Sequence, residues 1–130
     1  MRLMPFLAVL MGLVSCASAS KVINVNQGGL QTQVREGAFL LDVRTDEEFT
    51  EAHIPGAANA DWYQEDFLDQ VQKLCPVENR TPLVVYCRTG RRSAEAAAAL
   101  SKAGYTVYNL LGGITEWIDN GMKVEKLESE

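Results

Sequence analysis

Short apolar segments alternate with amphipathic or Ala-rich segments along most of the chain. The apolar segments are typical of strands buried in a sheet, and the longer segments are typical of helices packed against it. Strands are predicted at residues 22–25, 39–43, 57–60, 83–86 and 106–110, and helices at 27–35, 45–52, 62–74, 94–103 and 114–120. This alternation predicts an α/β sandwich with a mainly parallel central sheet of about five strands flanked by helices.

The helix predicted at 62–74 is amphipathic, since Tyr63, Phe67, Val71 and Leu74 recur near helical spacing. We expect these side chains to lie in the core. The helix predicted at 45–52 begins with a capping box, in which Thr45 accepts from the backbone and Glu48 reaches back to it.

Length and charge narrow the class of protein. The chain has 130 residues, 47% of them hydrophobic, which suffices for one domain with a single core. We place that domain at residues 20–125, followed by a charged tail at 126–130 that continues the solvated, mixed-charge stretch beginning at Lys123. The net charge of -5 argues against nucleic acid as a partner.

Residues 1–19 resemble an export signal. Arg2 precedes an apolar stretch at 3–14 that is too short to span a membrane, and small residues follow it. Two processing routes stay open: cleavage after Ala19, or lipidation of Cys16 within the lipoprotein-like box Leu13-Val14-Ser15-Cys16. Both predict a protein that works outside the cytoplasm, either free or held to a membrane surface by a lipid anchor.

The segment 82–104 carries the most distinctive chemistry. Cys87 follows a buried strand and precedes a helix, and the loop between them contains Arg88, Thr89, Gly90, Arg91 and Arg92. Such a loop directs backbone N–H groups into one concavity, where an anion binds. Helix N-termini and nearby guanidinium groups lower a thiol pKa, so Cys87 is expected to be a thiolate nucleophile. The alternative is an inert, buried cysteine at the end of a strand.

Other potentially reactive residues are assigned lesser roles. His53, the only histidine, is weighed as a general base for Cys87, but its His-Ile-Pro-Gly setting favours a turn. One histidine and no CxxC motif argue against a metal site, and no cofactor is expected. Cys75 precedes the strand that Cys87 follows, so roughly 16 Å separates the two cysteines, which is too far for a disulfide. Cys75 is therefore expected to be structural, and a role as a resolving thiol stays the lesser alternative.

Several motifs, in order, resemble the rhodanese family of sulfurtransferases. They are Asp42-Val43-Arg44, Glu48-Phe49, His53-Ile54-Pro55-Gly56-Ala57, the Cys87 loop with Ser93, and Leu111-Gly112-Gly113 with Trp117. The resemblance covers about residues 22–123 and implies a three-layer sandwich. It also implies that Asp42 and Arg44 lie close to the Cys87 loop and support it, although a structural ion pair is an equal alternative. The layout is similar to the small periplasmic rhodaneses of bacteria.

The resemblance implies sulfur transfer. Cys87 would take the outer sulfur of a small anionic donor such as thiosulfate and pass it to cyanide, a small thiol or a protein cysteine. The amides of residues 88–92 would stabilise the persulfide, Arg91 and Arg92 would recruit the donor ahead of Arg88, and Ser93 and Thr89 are secondary donors to the sulfur.

Two other functions stay open: a non-catalytic carrier or binding module for sulfur species, and a cysteine phosphatase. A phosphatase loop of this kind has five residues between the cysteine and a clamping arginine. Here four residues separate Cys87 from Arg92, and Ser93 stands at the clamping position. The shorter loop favours sulfur over phosphate.

Overall fold

The computed structural model describes residues 21–128. The predicted export signal and the lipidation expected at Cys16 lie outside these residues. The elements are β1 (Val22–Val25), α1 (Gln27–Arg35), β2 (Phe39–Asp42), α2 (Asp46–Glu51), β3 (Ala58–Asn59), α3 (Phe67–Leu74), a 3₁₀ turn (Val77–Asn79), β4 (Leu83–Tyr86), α4 (Arg91–Lys102), β5 (Val107–Leu110) and α5 (Gly113–Asp119).

The five strands form one sheet in the order β1-β5-β4-β2-β3, and every pair is parallel. The central strand β4 is hydrogen-bonded to β2 on one side and to β5 on the other. All four of its residues are buried, as expected for a strand covered on both faces. The predicted sheet is confirmed, and the carboxyl end of β4 lies in the middle of its edge.

Helices cover both faces of the sheet. On one face, Leu83 and Val85 of β4 pack with side chains of α3 and α4, among them Val71 and Leu100. On the other face, Val84 and Tyr86 pack with side chains of α1 and α5, including Trp117. The alternating side chains of one strand therefore belong to two apolar clusters, which gives the three layers that the resemblance implies.

The helix predicted at 62–74 is shorter than expected and begins at Phe67. Asp61 explains the difference, because its carboxylate accepts the N–H of Tyr63 and its carbonyl accepts the N–H of Gln64, which holds the chain in turns. Phe67 and Val71 are buried as predicted, but Tyr63 is 65% exposed and Leu74 is 43% exposed. The prediction that all four side chains lie in the core is therefore wrong for Tyr63 and Leu74.

The stretch after α5 is not the freely solvated tail expected from Lys123 onward. The Trp117 indole N–H donates to the Lys123 carbonyl, and Glu125 and His53 exchange backbone hydrogen bonds. The Leu127 amide donates to the carbonyl of Thr50. The side chains from Glu125 to Glu128 are exposed, but hydrogen bonds hold part of their backbone. The charge of the side chains alone did not predict these hydrogen bonds.

Among the helices of residues 21–128, none has both the length and the apolar character that a membrane span needs.

Tyr86 connects β4 to the turn after α2. Its hydroxyl oxygen accepts the Ile54 N–H at 3.0 Å, and both residues are buried. Tyr86→Phe removes the acceptor and leaves a buried N–H unpaired, so we expect it to lower the free energy of unfolding by about 1–3 kcal/mol. Equilibrium unfolding in urea measures this loss.

Tyr108→Phe is the matched control, because Tyr108 is half-buried on β5 and its hydroxyl has no hydrogen-bond partner among the described residues. Equal stability of the two variants would show that the contact between Tyr86 and Ile54 contributes nothing.

Candidate active site

Cys87 lies at the junction of β4 and α4. β4 ends at Tyr86, and α4 begins at Arg91 after a short loop. Gly90 closes the loop with a φ of +100°, a conformation that costs glycine little because it has no Cβ. The chain therefore reverses within a few residues, and the first turn of α4 faces the sulfur.

Two hydrogen bonds converge on the sulfur of Cys87. The Gly90 N–H donates to Sγ at 3.1 Å, and the Ser93 hydroxyl donates to it at 3.3 Å. Ser93 is fully buried, so its hydroxyl is shielded from bulk water. The arrangement suits an anionic sulfur, because both groups donate toward it.

These donors favour the charged form of the thiol. Burial by itself would raise the pKa of Cys87, but hydrogen bonds from the Ser93 hydroxyl and from the amides of Ser93, Gly90 and Thr89 outweigh it, and the pKa lies below that of an ordinary cysteine. The lowering thus comes from backbone and hydroxyl donors, whereas the sequence also suggested the guanidinium groups.

Cys87 is 1% exposed but lines an open cavity of about 330 Å³. The cavity is lined by Tyr63, Cys87, Arg88, Thr89, Arg91, Arg92 and Glu95. Another cavity, of about 360 Å³, opens beside Arg80 and Tyr105 near the other end of the sheet, and neither Cys75 nor Cys87 lines it. The thiol is therefore enclosed on most sides and faces a cavity bordered by charged side chains and large enough for a small anion.

Glu48 neutralises part of the arginine cluster. Its carboxylate accepts two hydrogen bonds from Arg92, at 2.7 and 2.9 Å, and one from Arg88 at 3.1 Å. The Arg92 hydrogen bonds are the main reason that the pKa of Glu48 lies well below its usual range. The predicted capping box is confirmed, and its contacts between Thr45 and Glu48 fix the carboxylate at the start of α2.

The three arginines therefore differ in their surroundings. Arg92 is half-buried and held by Glu48, and its guanidinium lies 5.6 Å from the centre of the Tyr63 ring. The Arg88 side chain is 63% exposed and shares the same carboxylate. Arg91 is exposed and has no carboxylate partner among residues 21–128. All three line the cavity, including Arg88, which is expected from the sequence to rank behind Arg91 and Arg92 in recruiting a donor.

Asp42 and Arg44 form a buried ion pair, with 2.7 Å between Arg44 Nη2 and Asp42 Oδ2. Arg44 also donates to the carbonyl of Ala52, and Asn59 donates to the carbonyls of both Asp42 and Arg44. Burial opposes the charge of Arg44, but its hydrogen bonds to Asp42 raise its pKa. The pair holds the end of β2 to the segment after α2 and makes no hydrogen bond to residues 87–93, which favours the structural alternative.

His53 and Cys75 lie away from the Cys87 cavity. The His53 ring stacks on Phe49, and its Nδ1 is 2.8 Å from the Phe49 carbonyl. Cys75 is a free, buried thiol at the end of α3, and burial raises its pKa. Neither residue lines the cavity, in keeping with structural roles. Across residues 21–128, no group of three or more His, Cys, Asp or Glu side chains is placed to hold a metal ion.

Three residues of the site were missed by sequence reasoning. Glu48 was assigned only a cap, and Tyr63 was assigned to the core. Glu95 drew no attention, although it lines the cavity and accepts the Trp62 indole N–H at 3.2 Å. For Glu48 the sequence offered one signal, its place in the Glu-Phe motif.

Comparison with known proteins agrees with this geometry. The family model of the rhodanese-like domain matches residues 26–120. Thiosulfate sulfurtransferase 18 of Arabidopsis thaliana is 32% identical over 129 residues, covering 89% of this chain and 93% of the relative. The mitochondrial protein HIGH ARSENIC CONTENT 1 of the same plant is 35% identical over 100 residues, covering 69% of this chain and 58% of the relative.

The fold has a close counterpart among solved structures. The crystal structure of a rhodanese-related protein from Thermoplasma volcanium superposes with a TM-score of 0.67 at 28% identity, covering 79% of this chain and 97% of that one. A family match over most of the chain, a shared fold and a cysteine at the β4–α4 junction agree with one another. The chain belongs to the rhodanese-like domain family, which includes sulfurtransferases.

Proposed function

We propose that the protein is a thiosulfate sulfurtransferase that works through a persulfide on Cys87. The observation that carries the proposal is the pair of hydrogen bonds from the Gly90 amide and the Ser93 hydroxyl to the Cys87 sulfur, at the floor of a cavity lined by three arginines. These groups stabilise a sulfur anion where a small anionic donor can reach it.

In the first half-reaction, the Cys87 thiolate attacks the outer sulfur of thiosulfate. A bond forms between the two sulfurs as the bond to the sulfonate sulfur breaks, and sulfite leaves with that electron pair. The product is a Cys87 persulfide anion, so the total charge is conserved. The loop amides that stabilise the thiolate then stabilise the terminal sulfur of the persulfide.

In the second half-reaction, a thiophilic acceptor attacks the terminal sulfur. With cyanide, a carbon–sulfur bond forms, the persulfide bond breaks, and thiocyanate leaves while the Cys87 thiolate is restored. A thiolate acceptor, from a small molecule or a protein, takes the sulfur by the same displacement and becomes a persulfide. The two steps together need no external oxidant or reductant.

The surroundings of the loop favour sulfur over phosphate. A phosphatase would place a guanidinium where Ser93 stands, but Ser93 is buried and its hydroxyl donates to the sulfur. The guanidinium of Arg92 is directed to Glu48 instead. The arginine one position earlier is therefore directed at a carboxylate, and it does not occupy the position from which a phosphatase arginine clamps the phosphoryl group.

Cys87→Ser is expected to abolish sulfur transfer, because a serine hydroxyl is a poor nucleophile at neutral pH and cannot form a persulfide. Incubation with thiosulfate should add one sulfur atom to the wild-type protein and none to the variant, as read by intact mass. Cys75→Ser is the control and should keep both the mass gain and the turnover with cyanide. A sulfur gain without turnover would identify a carrier, and phosphatase activity without sulfur gain would refute the proposal.

Ser93→Ala is expected to shift the pH dependence of persulfide formation. Ser93 donates to the charged form of Cys87, so its removal raises the thiol pKa and moves the acid limb of the rate profile to higher pH. Single-turnover rates with thiosulfate across the range from mildly acidic to mildly alkaline pH measure the shift. Ser101→Ala, a buried serine further along α4, is the control, and an unmoved profile in Ser93→Ala would contradict the assigned role.

Arg91→Ala is expected to weaken donor recruitment more than Arg88→Ala, because Glu48 already neutralises part of the charge near Arg88. The KM for thiosulfate should rise about fivefold, the equivalent of about 1 kcal/mol for an exposed charge contact. Steady-state kinetics at low salt measure the change, with Arg35→Ala on α1 as the control. A larger effect at Arg88 than at Arg91 would reverse this assignment.

A further inference from the structure

The first turn of α5 lies against the backbone of the Cys87 loop. The Ile114 N–H donates to the carbonyl of Cys87 at 2.9 Å, and the Thr115 N–H donates to the carbonyl of Arg88 at 3.1 Å. Neither amide is needed within α5, because the first N–H groups of a helix have no carbonyl partner inside it. The two hydrogen bonds therefore join a separate segment of the chain to the residues that surround the sulfur.

Gly113 allows this approach. It is buried, its φ is +58°, and a Cβ placed on it would stand 2.5 Å from the Cys87 carbonyl oxygen and would also overlap the Arg88 carbonyl. All of the overlapping atoms of Cys87 and Arg88 belong to the backbone, so no side-chain rotation would relieve the overlap. Gly112 differs, because a Cβ there would meet mainly the Glu116 side chain.

Peptide geometry carries the effect from these carbonyls to the sulfur. In a planar trans peptide the C=O and the following N–H point in opposite directions. When Thr115 holds the Arg88 carbonyl, the N–H of Thr89, which belongs to the same peptide unit, is turned the other way. That amide is one of the donors that stabilise the Cys87 thiolate.

We propose that Gly113 is a positioning residue for sulfur transfer: by admitting the start of α5 against the loop, it fixes the peptide unit between Arg88 and Thr89 so that the Thr89 amide stays directed at the sulfur. The inference rests on the proposed function, since it concerns how the nucleophile of that reaction is held. The family motif Leu111-Gly112-Gly113 then acts on the chemistry through the backbone, without contact with substrate.

The test measures the thiol directly, with no sulfur donor or acceptor. The rate of alkylation of Cys87 by iodoacetamide is followed against pH, and mass spectrometry of the Cys87 peptide separates it from the other cysteines. In Gly113→Ala the inflection of the profile should move to higher pH, and the rate at neutral pH should fall about tenfold, as expected for losing a hydrogen bond to a charged group. Circular dichroism reports whether the variant is folded.

Thr115→Pro is the second variant, because proline lacks the N–H that holds the Arg88 carbonyl, and the amide at this third position of α5 donates to no carbonyl within the helix. Gly121→Ala is the matched control. Gly121 also has a positive φ, of +76°, at the other end of α5, and a Cβ placed on it would meet no atom within 4 Å. The substitution introduces the same kind of backbone strain away from the loop, so its profile should match the wild type.

A folded Gly113→Ala or Thr115→Pro variant with a wild-type profile would overturn the inference, and so would an equal shift in Gly121→Ala. Failure of the proposed function is distinguishable. In that case thiosulfate would add no sulfur to Cys87, while the alkylation profiles would still separate the variants.

Discussion

The arrangement of the site depends on lowering the cost of a negative charge on the Cys87 sulfur, at the end of a buried strand. Burial opposes the charge on Cys87, and the amides of the loop together with the Ser93 hydroxyl overcome that penalty. The loop can do so only if its backbone is fixed by the elements around it. β4, with four buried residues between two parallel neighbours, fixes the start of the loop, and α4 fixes its end. The first turn of α5 donates two hydrogen bonds to its carbonyls.

The charges around the sulfur are also held by contacts from a distant part of the chain. Three arginines border the cavity, but Glu48 binds Arg92 and Arg88 and is itself held by the capping box of α2. The capping box therefore has two effects. It starts α2, and it fixes the carboxylate that neutralises two arginines of the site after β4. Arg91 lines the cavity and has no carboxylate partner among residues 21–128, so one arginine of the three stays uncompensated.

Much of the architecture could be predicted because it depends on local patterns. The apolar run at 83–86, the Ala-rich helix after it and the capping box at Thr45 each specify a local conformation, and parallel strands place their carboxyl ends at one edge. The place of Tyr63 could not be predicted in this way. Its spacing fits a helical face, but the hydrogen bonds of Asp61 turn the chain first, and Tyr63 reaches the cavity beside Arg92.

The family, the order of strands and helices, and the cysteine on which the chemistry is proposed could all be inferred from the amino-acid sequence, because they follow from short-range patterns and distinctive motifs. The export signal expected at residues 1–19 stays a prediction. Three features required the folded chain: which arginines are neutralised, the ion pair between Asp42 and Arg44, and the contact of Gly113 with the Cys87 loop. Those contacts depend on how the strands, helices and loops pack, and most of them join residues far apart in the chain.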